Sequence, residues 1–191
     1  DGQLGDGGSN TDKTTPVSVS LGTGRTAVAV SAGGDHTCAI LDDGSLNCWG
    51  RDAFGQLGDG GSNTDKTTPV SVSLGTGRTA VAVSAGYTHT CAILDDGSLK
   101  CWGRDIYGEL GDGGSNTAKT TPVSVSLGTG RTAVAVSAGL YHTCAILDDG
   151  SLKCWGYDNY GQLGDGGSNT NKGTPVSVSL GTGRTAVAVS A

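Results

Sequence analysis

The chain has no methionine, and aromatic residues make up only 5% of its 191 positions: three tryptophans, five tyrosines and one phenylalanine. A core built without such bulk has to come from Val, Ala, Leu and Ile, which favours many short strands joined by glycine turns. No stretch approaches the roughly 18 to 20 apolar residues of a membrane-spanning helix, which argues against membrane insertion. No run of Lys or Arg occurs, and the formal charge is −6. Nothing in the chain would neutralise a phosphate backbone, so nucleic acid is not an expected partner. No leader-like segment precedes Asp1, so the chain is expected to be soluble and either mature or cut from something longer.

What the sequence has in abundance is glycine, 35 residues, and repetition. Pro16, Pro69, Pro122 and Pro175 recur at a period of 53, as do Cys38, Cys91 and Cys144, or Trp49, Trp102 and Trp155. A period of this length marks a supersecondary unit that buries its faces only against its neighbours. The apolar runs are short, β-branched and bounded by Gly or Pro, and no helical period competes with them. Each unit reads as four strands: Ala27 to Ala32, His36 to Leu41, Ser45 to Trp49 and Pro69 to Leu74. Asp42-Asp43-Gly44 is a hairpin turn with glycine where a left-handed conformation is needed. The expected class is all-β, with propeller blades of four antiparallel strands. The repeat units span 1–53, 54–106, 107–159 and, incompletely, 160–191, in one array. Three complete blades are expected with a lone strand at each end, as part of a larger ring or array whose open edges invite pairing with another chain.

The six cysteines straddle the Asp-Asp-Gly turns symmetrically: Cys38 with Cys48, Cys91 with Cys101, and Cys144 with Cys154. If Leu41 and Ser45 close the hairpin as a hydrogen-bonded pair, alternation places Cys38 opposite Cys48 at a non-hydrogen-bonded position. Opposed Cα atoms there approach to about 4.5 Å, at the short end of the disulfide range. Disulfides are the leading reading, with buried free thiols as the alternative. A metal site fits C-x9-C spacing poorly. Three disulfides imply an oxidising compartment, so the chain is expected to be secreted or displayed at the cell surface.

The segment GYTHTCAILDDGSLKCWGRDIYGELGDG, Gly86 to Gly113, and its sister copies resemble the regulator of chromosome condensation repeat. That family pairs an AAG-x-x-H-T strand with a G-x-x-x-x-W-G-x-N-x-x-G-Q-L-G run. The resemblance covers the whole chain and implies a propeller, usually of seven blades. The founding member is a guanine-nucleotide exchange factor on chromatin. The cysteine pairs, the acidic balance and the missing basic tail depart from it, so that activity is not carried over. Secreted microbial propellers of the family, one of them a protein inhibitor of β-lactamase, are closer in character, and these act by binding.

Nine positions of the period vary among the copies, in the sets headed by Asp1, Gln3, Asp12, Thr14, Gly34, Asp35, Asn47, Arg51 and Ala53. All but the Asn47 set fall in the first-to-second or third-to-fourth strand links, which emerge at the same end of a meander. That end is the expected binding face, with Arg51, Phe54, Tyr87, Arg104, Ile106, Tyr107, Leu140, Tyr141, Tyr157 and Tyr160 as contacts. Tyr and Arg are enriched at binding hot spots, and functional residues often sit on loops over a rigid scaffold. The competing explanation is that long loops drift while tight turns cannot. His36, His89 and His142 read as structural rather than metal-binding, and the tryptophans as inter-blade packing. The Asp59–Asp65 loop has alternating oxygen donors, a lesser calcium reading that the Ala118 and Asn171 replacements of Asp65 weaken. No catalytic constellation and no cofactor site emerges. The expected function is a non-enzymatic extracellular binding or scaffold module that engages a protein or cell-surface ligand. The alternative is a structural protein whose copies assemble end to end into filaments.

Overall fold

The computed structural model describes residues 1–8 and 11–191. Twelve strands form three antiparallel four-stranded sheets, each in simple sequential order. The first blade holds β1 (Ala27–Ala32), β2 (His36–Leu41), β3 (Leu46–Gly50) and β4 (Lys66–Ser71). The second holds β5 (Ala80–Ala85), β6 (His89–Leu94), β7 (Leu99–Gly103) and β8 (Lys119–Ser124). The third holds β9 (Ala133–Ala138), β10 (His142–Leu147), β11 (Leu152–Gly156) and β12 (Lys172–Ser177).

The hairpin register is the one the turn chemistry dictates. Leu41 N–H donates to Ser45 O at 2.8 Å, and the ladder then pairs Ile40 with Leu46, Ala39 with Asn47 and Cys38 with Cys48. Each blade carries its own disulfide, Cys38–Cys48, Cys91–Cys101 and Cys144–Cys154, all with Cα atoms 4.1 Å apart. On a chain-entropy model a loop this short stabilises by about 2 to 3 kcal/mol.

Two expectations need correction. The outer strand begins at Lys66 and ends at Ser71, not at Pro69 to Leu74. A register shift between Cys48 and Gly50 lets polar Lys66, Thr67 and Thr68 enter the strand, and Pro69 is tolerated because β4 is an edge. Beyond Ser71, Val72 keeps one bond to its own sheet, its N–H donating to Leu46 O at 2.9 Å, while the Val72 and Leu74 side chains pack with Ala92, Leu94 and Trp102 of the next blade. The two terminal segments, around Val17–Leu21 and Ala186–Ala191, are not strands, because neither has a ladder partner among the described residues. They nevertheless dock as their sister copies do. Val19 and Leu21 pack on Ala39, Leu41 and Trp49, and Ala191 N–H donates to Ser137 Oγ at 2.9 Å, as Ala138 does to Ser84.

The cores lie between blades rather than inside them. One face of the first blade, with Cys38, Ile40, Leu46, Cys48 and Leu57, meets Ala80, Leu94 and Trp102 of the second. The second meets the third through the same positions one period on. A polar chain runs through each seam. Thr90 Oγ1 and Trp102 Nε1 both donate to the backbone carbonyl of Gln56, at 2.8 and 2.9 Å. Thr143 and Trp155 do the same to Glu109, and Thr37 and Trp49 to Gln3. Because the Thr90 proton is committed to that carbonyl, His36 Nε2, 2.7 Å from Thr90 Oγ1, must be the donor, leaving Nδ1 bare and without a partner. His89 bonds Thr143 identically at 2.9 Å. A side chain on Gly33 would collide with the His36 ring and the Gly86 carbonyl, so the inner turns approach closely only as glycine.

The neutral histidines make the seams acid-sensitive. Burial pushes His36 down to about 4 and His89 down to about 3, and lowers His142. An unfolded chain therefore binds more protons below pH 6.5, and stability present above that pH is lost as pH falls toward the folded values. The Asp52 and Asp105 carboxyls, pushed up to about 6 by burial, act in the opposite sense, adding stability as pH falls from about 6 to the ordinary carboxylate range. His89→Gln keeps a donor for Thr143 but cannot charge. Chemical denaturation at pH 7.5 and 4.5 should show the variant losing roughly 2 kcal/mol less than wild type on acidification. Equal losses in the two proteins would rule out this origin.

Candidate functional site

The long loop between the third and fourth strands of each blade is shaped by a buried aspartate. Asp52 Oδ1 accepts the Leu57 N–H at 3.0 Å, as Asp105 does for Leu110 and Asp158 for Leu163. The loop end is tied by Asp65 Oδ1, which accepts Asp52 N–H, and by Asn171 for Asp158; in the second blade Ala118 offers no such acceptor. This fold-back carries Gln56 or Glu109 over the next blade, beneath its tryptophan. Gly58, at φ +71°, lies so close to the Trp102 indole that a side chain there would strike it.

On this scaffold the variable residues meet. Tyr107 and Arg104 come from the long loop of the second blade, Tyr157 and Tyr160 from that of the third. Tyr87 and Tyr141 come from the short links after β5 and β9. All five tyrosines of the chain form one chain of contacts. Ring centroids are 6.3 Å apart for Tyr87–Tyr141, 5.5 Å for Tyr141–Tyr107, 4.8 Å for Tyr107–Tyr157 and 6.1 Å for Tyr157–Tyr160. All are edge-to-face or tilted, the arrangement the ring quadrupole prefers. The Arg104 guanidinium lies between two of the rings, 4.8 Å from the Tyr107 centroid and 4.5 Å from that of Tyr141. Its Nη1 is 3.4 Å from Oε1 of Glu109, a residue only 1% exposed. Burial raises the Glu109 carboxyl, opposed by backbone N–H bonds and by Arg104.

Of the other expected contacts, Leu140 and Ile106 are exposed beside Tyr141 and Tyr107 in the chain. Leu140 also lines, with Tyr87 and the inner-turn glycines, a shallow depression where the first strands converge. Arg51 and Phe54 stand apart from the aromatic group. Arg51 pairs with Asp35 of its own blade at 3.0 Å, and the half-buried Phe54 makes none of the ring contacts among the described residues.

Sequence reasoning missed Glu109 and the buried aspartates. The signals were present: Glu109 is the single acid in a set of glutamines, and Asp52 is constant between two variable positions. The Asp59 loop commits its carboxylates to its own chain, Asp59 Oδ1 to Gly61 N–H and Asp65 to Asp52 N–H. Among the described residues no group of three His, Cys, Asp or Glu side chains gathers to hold a metal. At the opposite end, Arg25, Arg78 and Arg131 each bridge the two aspartates of a hairpin turn, identically in every blade.

Family models of the regulator of chromosome condensation (RCC1) repeat match residues 1–40, 43–93, 96–146 and 149–191, and a second model of the repeat matches 27–56, 80–109 and 133–162. The chain is 33% identical to the ultraviolet-B receptor UVR8 of Arabidopsis thaliana over 177 residues, covering 93% of the chain and 39% of the receptor. It is 32% identical to the human E3 ubiquitin-protein ligase HERC2 over 74% of the chain but only 3% of that protein. Among solved structures, yeast RCC1 (Prp20) bound to Kap60 superposes with a TM-score of 0.72 at 22% identity, over 80% of the chain and 37% of Prp20. A second structure of Prp20p, from Saccharomyces cerevisiae, gives 0.71 at 23% identity, over 80% and 38%. The chain thus spans less than two fifths of the length of each of these relatives. With the repeat matched along nearly its whole length and three four-stranded blades joined through a tryptophan seam, this chain belongs to the regulator of chromosome condensation (RCC1) repeat family.

Proposed function

We propose that the chain is a non-enzymatic, exported binding module that recognises a protein partner through its tyrosine face. The observation that carries this reading is the convergence of all five tyrosines and Arg104, from four separate links, on a scaffold otherwise repeated almost unchanged. Rigid aromatics give large contact area at low entropic cost, and a half-exposed group of them is what interface hot spots are made of. Tyr160 is 84% and Tyr87 41% exposed, so the patch is open to a partner. The yeast relative was crystallised with Kap60, and Prp20p is described as binding Gsp1p and histones; binding proteins is the part of their character that we extend to this chain. The buried acids serve as acceptors for loop N–H groups, the same job in each blade, which suits structure better than turnover.

The face can be tested directly. A partner cross-linked in the native setting and then purified should bind Tyr141→Ala and Tyr160→Ala at least roughly tenfold more weakly by calorimetry. Arg78→Ala, on the opposite end, should bind as wild type. Full affinity in both tyrosine variants, with loss in the Arg78 variant, would put recognition on the other end of the disc.

Export rests on the pairing of all six cysteines. Protein recovered from its source and alkylated without reduction should carry no label on cysteine and should be found outside the cell. A predominantly cytosolic, thiol-bearing population overturns this part of the proposal.

One observation favours a second reading, association between copies. The outer face of the third blade, with Cys144, Cys154 and Leu163, repeats the face that the second blade presents to the third. The face of Ala39, Leu41 and Trp49 repeats the one that receives it, and within the chain it is already covered by Val19 and Leu21, so a second copy would dock over that segment or displace it. Sedimentation over a concentration series should then show growing assemblies, abolished by Leu152→Lys at the rim of the donor face. A single monomeric boundary throughout excludes it.

A further inference from the structure

Position 3 of the repeat is glutamine in three copies, Gln3, Gln56 and Gln162, and glutamate only at Glu109. One side-chain oxygen does a shared job. Gln56 Oε1 accepts the amide of Phe54 at 2.9 Å, Gln162 Oε1 that of Tyr160 at 3.0 Å, and Glu109 Oε2 that of Tyr107 at 2.6 Å. The second atom is where the copies part. Neither Gln56 Nε2 nor Glu109 Oε1 makes a hydrogen bond, but Glu109 Oε1 carries charge and lies 3.4 Å from Arg104 Nη1 as an ion pair.

The two arginines at the same repeat position respond differently. Arg51, over a glutamine, turns to Asp35 and keeps its side chain 41% exposed. In the second blade Thr88 replaces that aspartate, and Arg104 is drawn inward until its side chain is 12% exposed, between the Tyr107 and Tyr141 rings. A guanidinium so far from water needs a compensating charge, and Glu109 is the one supplied. Tyr141 is itself unique to its copy, with Asp35 and Thr88 in its place elsewhere. Three substitutions that distinguish this seam therefore act as one unit.

We infer that Glu109 is the positioning residue of the tyrosine face: its buried carboxylate holds Arg104 between Tyr107 and Tyr141, fixing those rings and cancelling the charge beneath them. The surface offered is then aromatic and electrically neutral, suited to an uncharged, apolar protein segment. This meaning rests on the binding role proposed for the face; the local geometry does not.

The test is Glu109→Gln, read by the side-chain NMR signals of Arg104. Glutamine is native at the sister positions and keeps an acceptor for the Tyr107 amide, so the fold and that amide signal should be retained. In wild type the Arg104 Nε–H should be shifted by the two rings and slow to exchange. In the variant it should move to the position of Arg51, with exchange roughly tenfold faster. Glu109→Asp, one methylene short, should fail to restore it. An Arg104 signal unchanged in Glu109→Gln overturns the inference whatever the face binds. A displaced Arg104 with undiminished partner affinity upholds the inference and overturns the binding role of the face instead.

Discussion

One backbone carbonyl per seam, that of Gln3, Gln56 or Glu109, determines how neighbouring blades meet. It receives the indole N–H of the next blade's tryptophan and a threonine hydroxyl, and the threonine in turn receives a histidine from the blade before, where one precedes. Each such bond contributes only about 1 kcal/mol net, whereas removing a fully buried indole costs about 3 to 5 kcal/mol. Packing therefore supplies the strength of the seam, and the carbonyl supplies its direction. The buried aspartate that folds the loop back, the glycine against the indole and the close glycine turns beside the histidine are all conditions for placing that carbonyl.

The same loop that reaches into the seam also surfaces as the variable end of the disc. Structural and recognition roles are thus divided between adjacent residues: Leu57 and Gln56 face the next blade, while Phe54 and its equivalents face outward. This division explains how Tyr107 and Tyr160 can stand where another copy has Phe54, and Tyr157 where others have Arg51 and Arg104, without disturbing the blades. It also explains why a buried change such as Gln to Glu at position 109 is felt at the surface, since only one residue separates it from Tyr107.

Most of the fold was legible because the repeat shows each element several times. The first two strands of each blade, the hairpin register and the cysteine pairing follow from alternation about a turn whose glycine admits one geometry. The outer strand was misplaced because its first half, Lys66-Thr67-Thr68, looks like loop, while Val72 and Leu74 look like strand but serve the neighbouring blade. The terminal segments have strand-like sequences and no ladder, a property of their surroundings that no local pattern reports. At the tyrosine face, comparing copies picks out ten residues at one end of the molecule, of which the five tyrosines and Arg104 come into mutual contact. It included Arg51 and Phe54 because side-chain direction depends on partners, Asp35 against Glu109, that period counting does not connect.

Near-identical repeats carry a hazard for a chain with six cysteines, since each thiol sees several others in almost the same sequence context. Here every native partner is 10 residues away, while the nearest wrong partner across a blade boundary, Cys91 for Cys48, is 43 away. Loop-closure statistics scale with about the three-halves power of length, which favours the local encounter roughly ninefold in the unfolded chain. The Asp-Asp-Gly turn biases it further by presenting the two thiols on one side of a hairpin. Short pairing thus acts as an error filter during oxidation, and lets the gene multiply its unit without multiplying the ways in which the product can be cross-linked wrongly.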